Sequence, residues 1–238
     1  MRIVSLSFAD DAFKRSKERY RAQLEATGVF DEIIFLQPED LGYDFYKRHT
    51  PFIERVKRAH GHWIWKPYII CAQLEKMQDG DILVYGDAGN SITGTPEEFR
   101  ALVHSVVDTP GIIADQHNRL GAHCKKDVIR RMGVNVDEYR YRPVAEANRI
   151  IIQNSLTMRT AMVDWYEACC DYRNIDDSES EEPNFPEFLF HRHDQSVFSV
   201  VFNKYDGELV DFRGIWACTR IRDTDIGMDS LTSSPDSL

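Results

Sequence analysis

A β-α-β pattern at the start of the chain constrains the fold more than any other sequence feature. The apolar run over residues 2–8 predicts a strand, and a helix with apolar residues along one side follows over 11–26. A second short strand at 32–36 is closed by Gln37 and Pro38. Because a helical crossover normally joins parallel strands, this pattern predicts an α/β fold.

Later segments extend the same architecture. Three more strands are predicted, at residues 81–85, 111–114 and 149–152. Three more helices are predicted, at residues 51–60, at 68–77 and directly after Ser155, which has the character of a helix cap. We therefore expect a single Rossmann-like α/β domain over residues 1–223, with a mostly parallel central sheet flanked by helices. The polar segment 224–238 has no periodicity and is predicted to be a disordered tail.

Composition excludes several classes of protein and partner. The 238 residues carry a formal net charge of -10, which disfavours a nucleic-acid partner because such binding depends on Lys and Arg neutralising phosphates. The five cysteines are an odd number without CxxC spacing, which favours reduced thiols and a cytoplasmic location. No apolar run approaches the roughly 20 residues of a membrane span, and the start lacks a secretion signal. We expect no transmembrane segment.

Two polar features lie where an α/β protein would bind a ligand. Asp87 follows the strand at 81–85, between Gly86 and Gly89, and ligands of open α/β sheets bind at the carboxyl ends of strands. The alternative is a simple turn aspartate. The second feature is "HRHDQS" at 191–196, which precedes an apolar helical run. Its alternative is a helix cap with solvated charges.

The acidic segment 176–187 is interrupted by prolines. Such a composition is typical of a solvated surface loop, and an active-site lid is the other interpretation. Neither a glycine-rich dinucleotide loop nor a P-loop pattern occurs in the sequence.

Three motifs together resemble glycosyltransferases of the GT-A type. They are "GHWIWKPYII" at 61–70, "GDILVYGDAG" at 80–89 and "HRHDQSVFS" at 191–199. They look like the GYWIWKP, DAG and HRHDQS motifs of a group of small bacterial and viral proteins assigned as glycosyltransferases, and the resemblance spans about residues 1–205. It implies a GT-A-like domain that moves a sugar from a nucleotide-diphosphate sugar to a carbohydrate or glycan acceptor.

The resemblance also implies a metal site. In GT-A enzymes an Asp-x-Asp turn holds Mn²⁺ or Mg²⁺ against the donor diphosphate, and Asp87, Ala88 and Gly89 match that turn. Asp87 is therefore the expected metal ligand, whereas Gly89 stands where the second aspartate would be. A single carboxylate holds such a cation only if other oxygens or side chains complete its coordination, and Asp115 and His193 are candidates.

Further donor-binding residues follow from the same resemblance. The stretch 6–10, with Phe8, matches the part of GT-A enzymes that contacts the nucleobase. Lys66 is expected to reach a phosphate. Lys125 or Lys126 would add to the phosphate site and Asp127 to the sugar site, unless they form an ordinary charged helix surface. Trp63, Trp65 and Pro67 would brace the floor of the cleft, or be ordinary core residues.

Asp194 and Gln195 match the Asp-Gln that lies beside the transferred sugar in these relatives. Asp194 is expected to hydrogen-bond sugar hydroxyls or take the acceptor proton, and Gln195 to lie near the anomeric carbon. Two alternatives to the transferase stay open: a non-catalytic protein that binds a nucleotide sugar or carbohydrate on the same fold, and a sugar nucleotidyltransferase. A sugar nucleotidyltransferase would be expected to have a basic glycine-rich stretch near the start of its sequence, and this sequence has none.

Overall fold

The structure, a computed structural model, describes residues 1–109 and 111–219. Its strands are β1 Ile3–Phe8, β2 Glu32–Leu36, β3 Ile82–Gly86, β4 Ser91–Ile92, β5 Gly111–Arg119, β6 Pro143–Gln153, β7 Glu208–Val210 and β8 Trp216–Ala217. Its helices are α1 Lys14–Thr27, α2 Gly42–Arg55, α3 Ala59–His62, α4 Trp65–Leu74, α5 Pro96–His104, α6 Leu120–His123, α7 Lys126–Arg131, α8 Val136–Tyr139, α9 Leu156–Cys170 and α10 Asp194–Lys204. The predicted tail at 224–238, and residues 220–223 of the predicted domain, lie outside the described residues.

Six strands form one sheet in the order β2-β1-β3-β6-β5-β7. β1 pairs in parallel with β2 and β3, and β5 pairs in parallel with β7. β6 is antiparallel to both of its neighbours, β3 and β5. The predicted α/β fold with a mostly parallel central sheet and flanking helices is confirmed, with β6 as the exception. A separate two-stranded pair joins β4 to β8.

Two predicted helices have different bounds in the structure. α2 begins at Gly42, well before the predicted start at Pro51, because Phe45 and Phe52 on its two halves are both buried in one core. α4 begins at Trp65, three residues before the predicted start, and Pro67 lies in its first turn. The first turn of a helix tolerates proline because the N–H groups there have no intrahelical acceptor.

Apolar side chains are buried on both faces of the sheet. On one face α2, α4, α9 and α10 contribute a cluster that includes Trp165 and Phe198. On the other face α1 and α5 pack with Tyr20 and Trp216. All five cysteines are free thiols, as predicted. Within the ranges 1–109 and 111–219, no helix combines the length and apolarity needed to cross a membrane.

Candidate active site

The carboxyl ends of β1 and β3 meet at one edge of the sheet, because the two strands are parallel neighbours. Phe8 is the last residue of β1, and Asp87 directly follows β3. The Phe8 ring stacks on the Trp65 ring with 4.0 Å between their centroids. Trp65 is the first residue of α4, so this stacking holds the start of α4, and with it Lys66, against the same edge.

Lys66, Asp87 and Asp194 form an ionic group that we call the Lys66 cluster. The Lys66 Nζ atom lies 3.3 Å from Asp87 Oδ1 and 3.6 Å from Asp194 Oδ2. Lys66 and Asp194 are each 3% exposed, whereas the side chain of Asp87 is 34% exposed. The cluster therefore combines a largely buried ammonium and a largely buried carboxyl group with one carboxylate that is about one-third exposed.

Aromatic side chains surround the ammonium. The Lys66 Nζ atom lies 5.5 Å from the centroid of the Tyr85 ring and 5.9 Å from that of the Trp65 ring, within the range of cation–π attraction. The Tyr85 hydroxyl donates to Asp87 Oδ1 at 2.6 Å. Burial, and then the charge of Asp87, keep the pKa of Tyr85 well above its ordinary value. Tyr85 therefore remains a hydrogen-bond donor to Asp87 at any physiological pH.

Burial and charge act in opposite directions on the Lys66 cluster. Burial lowers the pKa of Lys66, but the carboxylates of Asp87 and Asp194 outweigh it, and the pKa lies above its ordinary value. Burial raises the pKa of Asp194 to about 7, although the Lys66 ammonium favours the charged form. Lys66 therefore stays charged, while Asp194 exchanges its proton near neutral pH, where a general base works best.

The start of α10 sets the position of Asp194. The preceding residue, His193, has a φ of 51°, a left-handed value that non-glycine residues rarely adopt and that clusters at functional sites. The Trp165 Nε1 atom donates to the backbone oxygen of Asp194 at 3.1 Å. Gln195 Nε2 is buried without a hydrogen-bond partner among the described residues, whereas Asp194 Oδ2 faces the Lys66 ammonium at 3.6 Å. Since buried polar atoms nearly always have partners, Gln195 Nε2 points to a group bound here.

Main-chain contacts close the turn at residues 87–89. The backbone N–H of Asp87 donates to Asn148 O at 3.0 Å. Ala88 O accepts from Arg19 Nη2 at 3.2 Å, and Gly89 O accepts from a threonine hydroxyl at 2.8 Å. Ala88 and Gly89 therefore contribute their backbone to the turn, and Asp87 contributes its carboxylate to the site.

The residues at 87–89 do not fit a divalent cation. Asp87 Oδ1 already accepts from Tyr85 and faces the Lys66 ammonium, so a metal on this carboxylate would lie beside an existing positive charge. Gly89 has no side-chain oxygen. Asp115, another predicted ligand, accepts from the backbone N–H of His117 at 2.7 Å instead. Mn²⁺ and Mg²⁺ need a set of oxygen ligands, and the turn itself offers one carboxylate, which it shares with Lys66, while Asp194 beside it faces the same ammonium.

The structure does not bring Lys125 and Asp127 to the Lys66 cluster. The Lys125 Nζ atom donates to Arg173 O at 2.7 Å. Asp127 Oδ2 accepts from the backbone N–H of Glu181 at 3.3 Å. The described contacts of both side chains therefore hold the acidic segment 176–187 and the residues just before it. Ion pairs such as that of Arg130 with Glu182 also hold this segment, and most of its residues are partly or fully exposed, as in a charged surface loop.

His193 contacts two residues that the sequence did not single out, His62 and Asp177. The rings of His62 and His193 stack with 4.0 Å between their centroids. The two oxygens of Asp177 lie 3.4 Å from His62 Nε2 and 3.8 Å from His193 Nε2. We call these three residues the His62 cluster. His62 precedes Lys66 by four residues, and His193 directly precedes Asp194. These positions close to the Lys66 cluster were the sequence feature that could have indicated the His62 cluster.

No family model matches the sequence, and no curated protein matches it. Among solved structures, the chain is similar to WbbM, a bifunctional glycosyltransferase, at 11% identity and a TM-score of 0.46, covering 84% of this chain and 37% of that one. It is similar to the galactosyltransferase LgtC in complex with donor and acceptor sugar analogues, at 13% identity and a TM-score of 0.45. This match covers 84% of this chain and 70% of that one. It is also similar to the glycosyltransferase GlyE of Streptococcus pneumoniae, at 15% identity and a TM-score of 0.45. This match covers 90% of this chain and 46% of that one. At these identities and TM-scores, the likeness tells nothing of the activity or of the residues that would carry it.

Proposed function

We propose that the protein is a glycosyltransferase that moves a sugar from a nucleotide-diphosphate sugar to a carbohydrate-type acceptor. The observation that carries this proposal is the Lys66 ammonium buried between Asp87 and Asp194 at the carboxyl edge of the sheet. That edge is where open α/β sheets bind ligands. The three residues come one each from the three motifs that resemble GT-A enzymes.

The donor site is proposed to run along this edge. The nucleobase lies against residues 6–10, where the Phe8 ring is backed by Trp65. An ammonium has three N–H donors, and two of those of Lys66 face Asp87 and Asp194, which leaves one for a diphosphate oxygen. Asp87, the exposed member of the cluster, keeps Lys66 charged and orients it. Lys125 and Asp127 are left out of the donor site because their contacts lie elsewhere.

In the proposed reaction, the bond between the anomeric carbon and the diphosphate oxygen breaks while the acceptor oxygen bonds to that carbon. The acceptor hydroxyl loses its proton to Asp194, whose pKa of about 7, raised by burial, makes it a base at neutral pH. Lys66 stabilises the negative charge that develops on the leaving diphosphate, which is usually the largest catalytic contribution. Gln195 Nε2, buried and without a partner among the described residues, donates to the sugar.

Lys66 supplies the positive charge that a divalent cation supplies in GT-A enzymes, so this donor site is proposed to work without Mn²⁺ or Mg²⁺ on Asp87. Two facts support this view. Gly89 replaces the second aspartate of the turn, and the Lys66 Nζ atom already lies 3.3 Å from the Asp87 carboxylate.

A screen of nucleotide-diphosphate sugars tests the proposal. We expect one donor to raise the melting temperature of the protein, since a ligand of the folded state stabilises it, and we expect release of nucleoside diphosphate when an acceptor is added. Lys66→Met is expected to weaken binding of the nucleoside diphosphate at least about tenfold more than binding of the nucleoside, because charge-assisted contacts to phosphate are lost. Lys76→Met, at an exposed position on the surface, is the matched control.

Three outcomes would contradict the transferase. A nucleotide sugar that binds but never releases nucleoside diphosphate, whatever the acceptor, would indicate the non-catalytic binding protein. Release of pyrophosphate from a nucleoside triphosphate and a sugar phosphate would indicate the nucleotidyltransferase. Equal losses of nucleoside and nucleoside diphosphate affinity in Lys66→Met would place Lys66 outside the diphosphate site.

A further inference from the structure

The His62 cluster has the composition of a metal site that is separate from the Lys66 cluster. We propose that His62, Asp177 and His193 bind one divalent transition metal of the zinc class. Two imidazoles and one carboxylate suit such a metal, whereas Mg²⁺ prefers oxygen ligands alone. The site is independent of whether the protein transfers sugars.

The distances in the cluster are close to those of a coordination sphere. The ligand atoms of the three residues all lie within 4.8 Å of one another. In a tetrahedral zinc site with bonds of about 2.0 to 2.2 Å, neighbouring ligand atoms are about 3.4 Å apart. The separations from the Asp177 oxygens to His62 Nε2 and His193 Nε2 are 3.4 Å and 3.8 Å. The separations of the ligand atoms are therefore near those of a metal site, and one ring has to turn before its lone pair points at a shared ion.

A hydrogen bond at His193 Nδ1 determines the protonation of the other ring nitrogen, Nε2, which is the one that faces Asp177. His193 Nδ1 lies 2.8 Å from Ile175 O, and since a carbonyl can only accept, Nδ1 carries the proton. In the neutral ring Nε2 is then an acceptor that faces a carboxylate oxygen 3.8 Å away, so a group that both atoms can bind, such as a metal ion or a water molecule, fits between them. Metal-binding histidines usually donate their other N–H to a carbonyl or carboxylate in this way.

His62 is the ring that must move. The two rings are stacked with an interplanar angle of 9°, so their Nε2 lone pairs run side by side rather than converge. The side chain of His62 is 3% exposed, and its Nδ1 atom has no hydrogen-bond partner in the part of the chain that the structure describes. No main-chain bond to a ring nitrogen is therefore broken when His62 turns. Burial lowers the pKa of His62 to about 4, so the ring is neutral and able to ligate.

The surroundings give a metal access and one anionic ligand. His62 and Asp177 line a cavity of about 420 Å³, which leaves room for a water molecule as the fourth ligand. Besides Asp177 itself, the charged groups that act on the two rings are the cations Arg58 and Lys125 and the carboxylate of Asp176. Lys125 is paired with Asp176 at 3.5 Å, so the Asp177 carboxylate remains as the anionic ligand of a bound metal. A metal here would fasten the acidic segment 176–187 beside the start of α10.

Metal titration of the full-length chain tests the site. Protein treated with EDTA is titrated with Co²⁺, whose visible absorption reports on nitrogen and oxygen ligands, and then with Zn²⁺. We expect one equivalent of Co²⁺ to bind and to be displaced by Zn²⁺. His62→Ala and Asp177→Ala are each expected to lower the affinity at least about tenfold. His104→Ala, on α5 at the opposite face of the sheet, is the matched control and should bind as the parent does.

A second measurement follows the acidic segment itself. We expect Zn²⁺ to slow cleavage of this segment by a glutamate-specific protease in the parent but not in Asp177→Ala. The Asp177 side chain is 68% exposed, so its replacement does not threaten folding, and circular dichroism checks His62→Ala. Absence of stoichiometric binding, or equal affinities in the parent and Asp177→Ala, would overturn the site. An NMR titration in which His193 gains a proton as the metal-free protein is acidified, with no metal bound at any pH, would show that a proton alone bridges the cluster and would also overturn it.

Discussion

Replacing Asp194 with asparagine is expected to stabilise the protein above neutral pH while removing the proposed base. Asp194 is 3% exposed, and burial raises its pKa from 3.8 to about 7. A carboxyl group with a higher pKa in the folded chain contributes stability below its unfolded pKa and loses that contribution as the pH rises through the folded pKa. Asparagine does not ionise, so the variant should lack this part of the pH dependence.

The size of the effect follows from the pKa difference. A rise of about three units in the pKa of Asp194 corresponds to about 4 kcal/mol of unfolding free energy. The parent protein has lost this stability by about pH 8. About 2 to 3 kcal/mol of that loss falls between pH 5 and pH 8. Lys66 keeps Asp87 as a charged partner in the variant, so the substitution does not leave an isolated buried ammonium.

Urea unfolding at pH 5, 6.5 and 8 measures this difference. The gain in unfolding free energy of Asp194→Asn over the parent is expected to grow by about 2 to 3 kcal/mol from pH 5 to pH 8. Asp44→Asn, at an exposed position in the first turn of α2, is the matched control. In the same variant kcat should fall by about 10² to 10⁴, with little change in donor affinity. A gain that does not change with pH would refute both the raised pKa and the role of Asp194 as a base near neutral pH.

Four further predictions concern the donor site and the sheet edge. Asp87→Ala is expected to abolish donor turnover with the fold intact, and full activity would remove Asp87 from the donor site. Addition of Mg²⁺ to EDTA-treated parent protein is expected to leave the affinity for nucleoside diphosphate, measured by calorimetry, unchanged, whereas tighter binding would restore a metal to Asp87. Gln195→Ala is expected to lower kcat about 10²-fold, as for one positioned polar contact, and a parental rate would exclude contact with the reacting sugar. Gly86→Ala is expected to cost about 1 to 3 kcal/mol of stability in thermal unfolding, because the new Cβ would lie 2.6 Å from Trp216 Cζ2, and an unchanged melting temperature would contradict that packing.

Local patterns in the sequence predicted the start of the fold closely. β2 has the predicted bounds, and β1 begins one residue after the predicted start. Residue alternation and flanking polar residues act over a few positions, so they can be read directly from the sequence. The direction of β6 could not be read in this way, since it depends on which strands β6 pairs with, and its partners β3 and β5 both lie earlier in the chain.

Pairings between distant segments could not be predicted from the sequence either. β4 pairs with β8, from Ser91 to Ala217 and from Ile92 to Trp216, and neither short strand was predicted. Two-residue strands carry no periodicity of their own. Their existence is therefore decided by the tertiary contacts around them and not by their composition.

For the candidate site, the sequence by itself determined which chemical groups stand at the ends of which elements. It indicated Lys66 near the start of a helix, Asp87 after a strand and Asp194 at the start of another helix, and the structure has them there. It also indicated Lys125 and Asp127 as residues that would bind the nucleotide-sugar donor. Their described contacts lie instead with the segment before α10.

Tertiary structure alone decided what these groups do to one another. That Lys66 lies between two carboxyl groups, that Asp194 is buried enough for its pKa to reach about 7, and that His62 and Asp177 meet His193 all depend on contacts between distant segments. Electrostatic interaction and burial depend on distances in space and on exclusion of water, and both arise only when those segments are packed together.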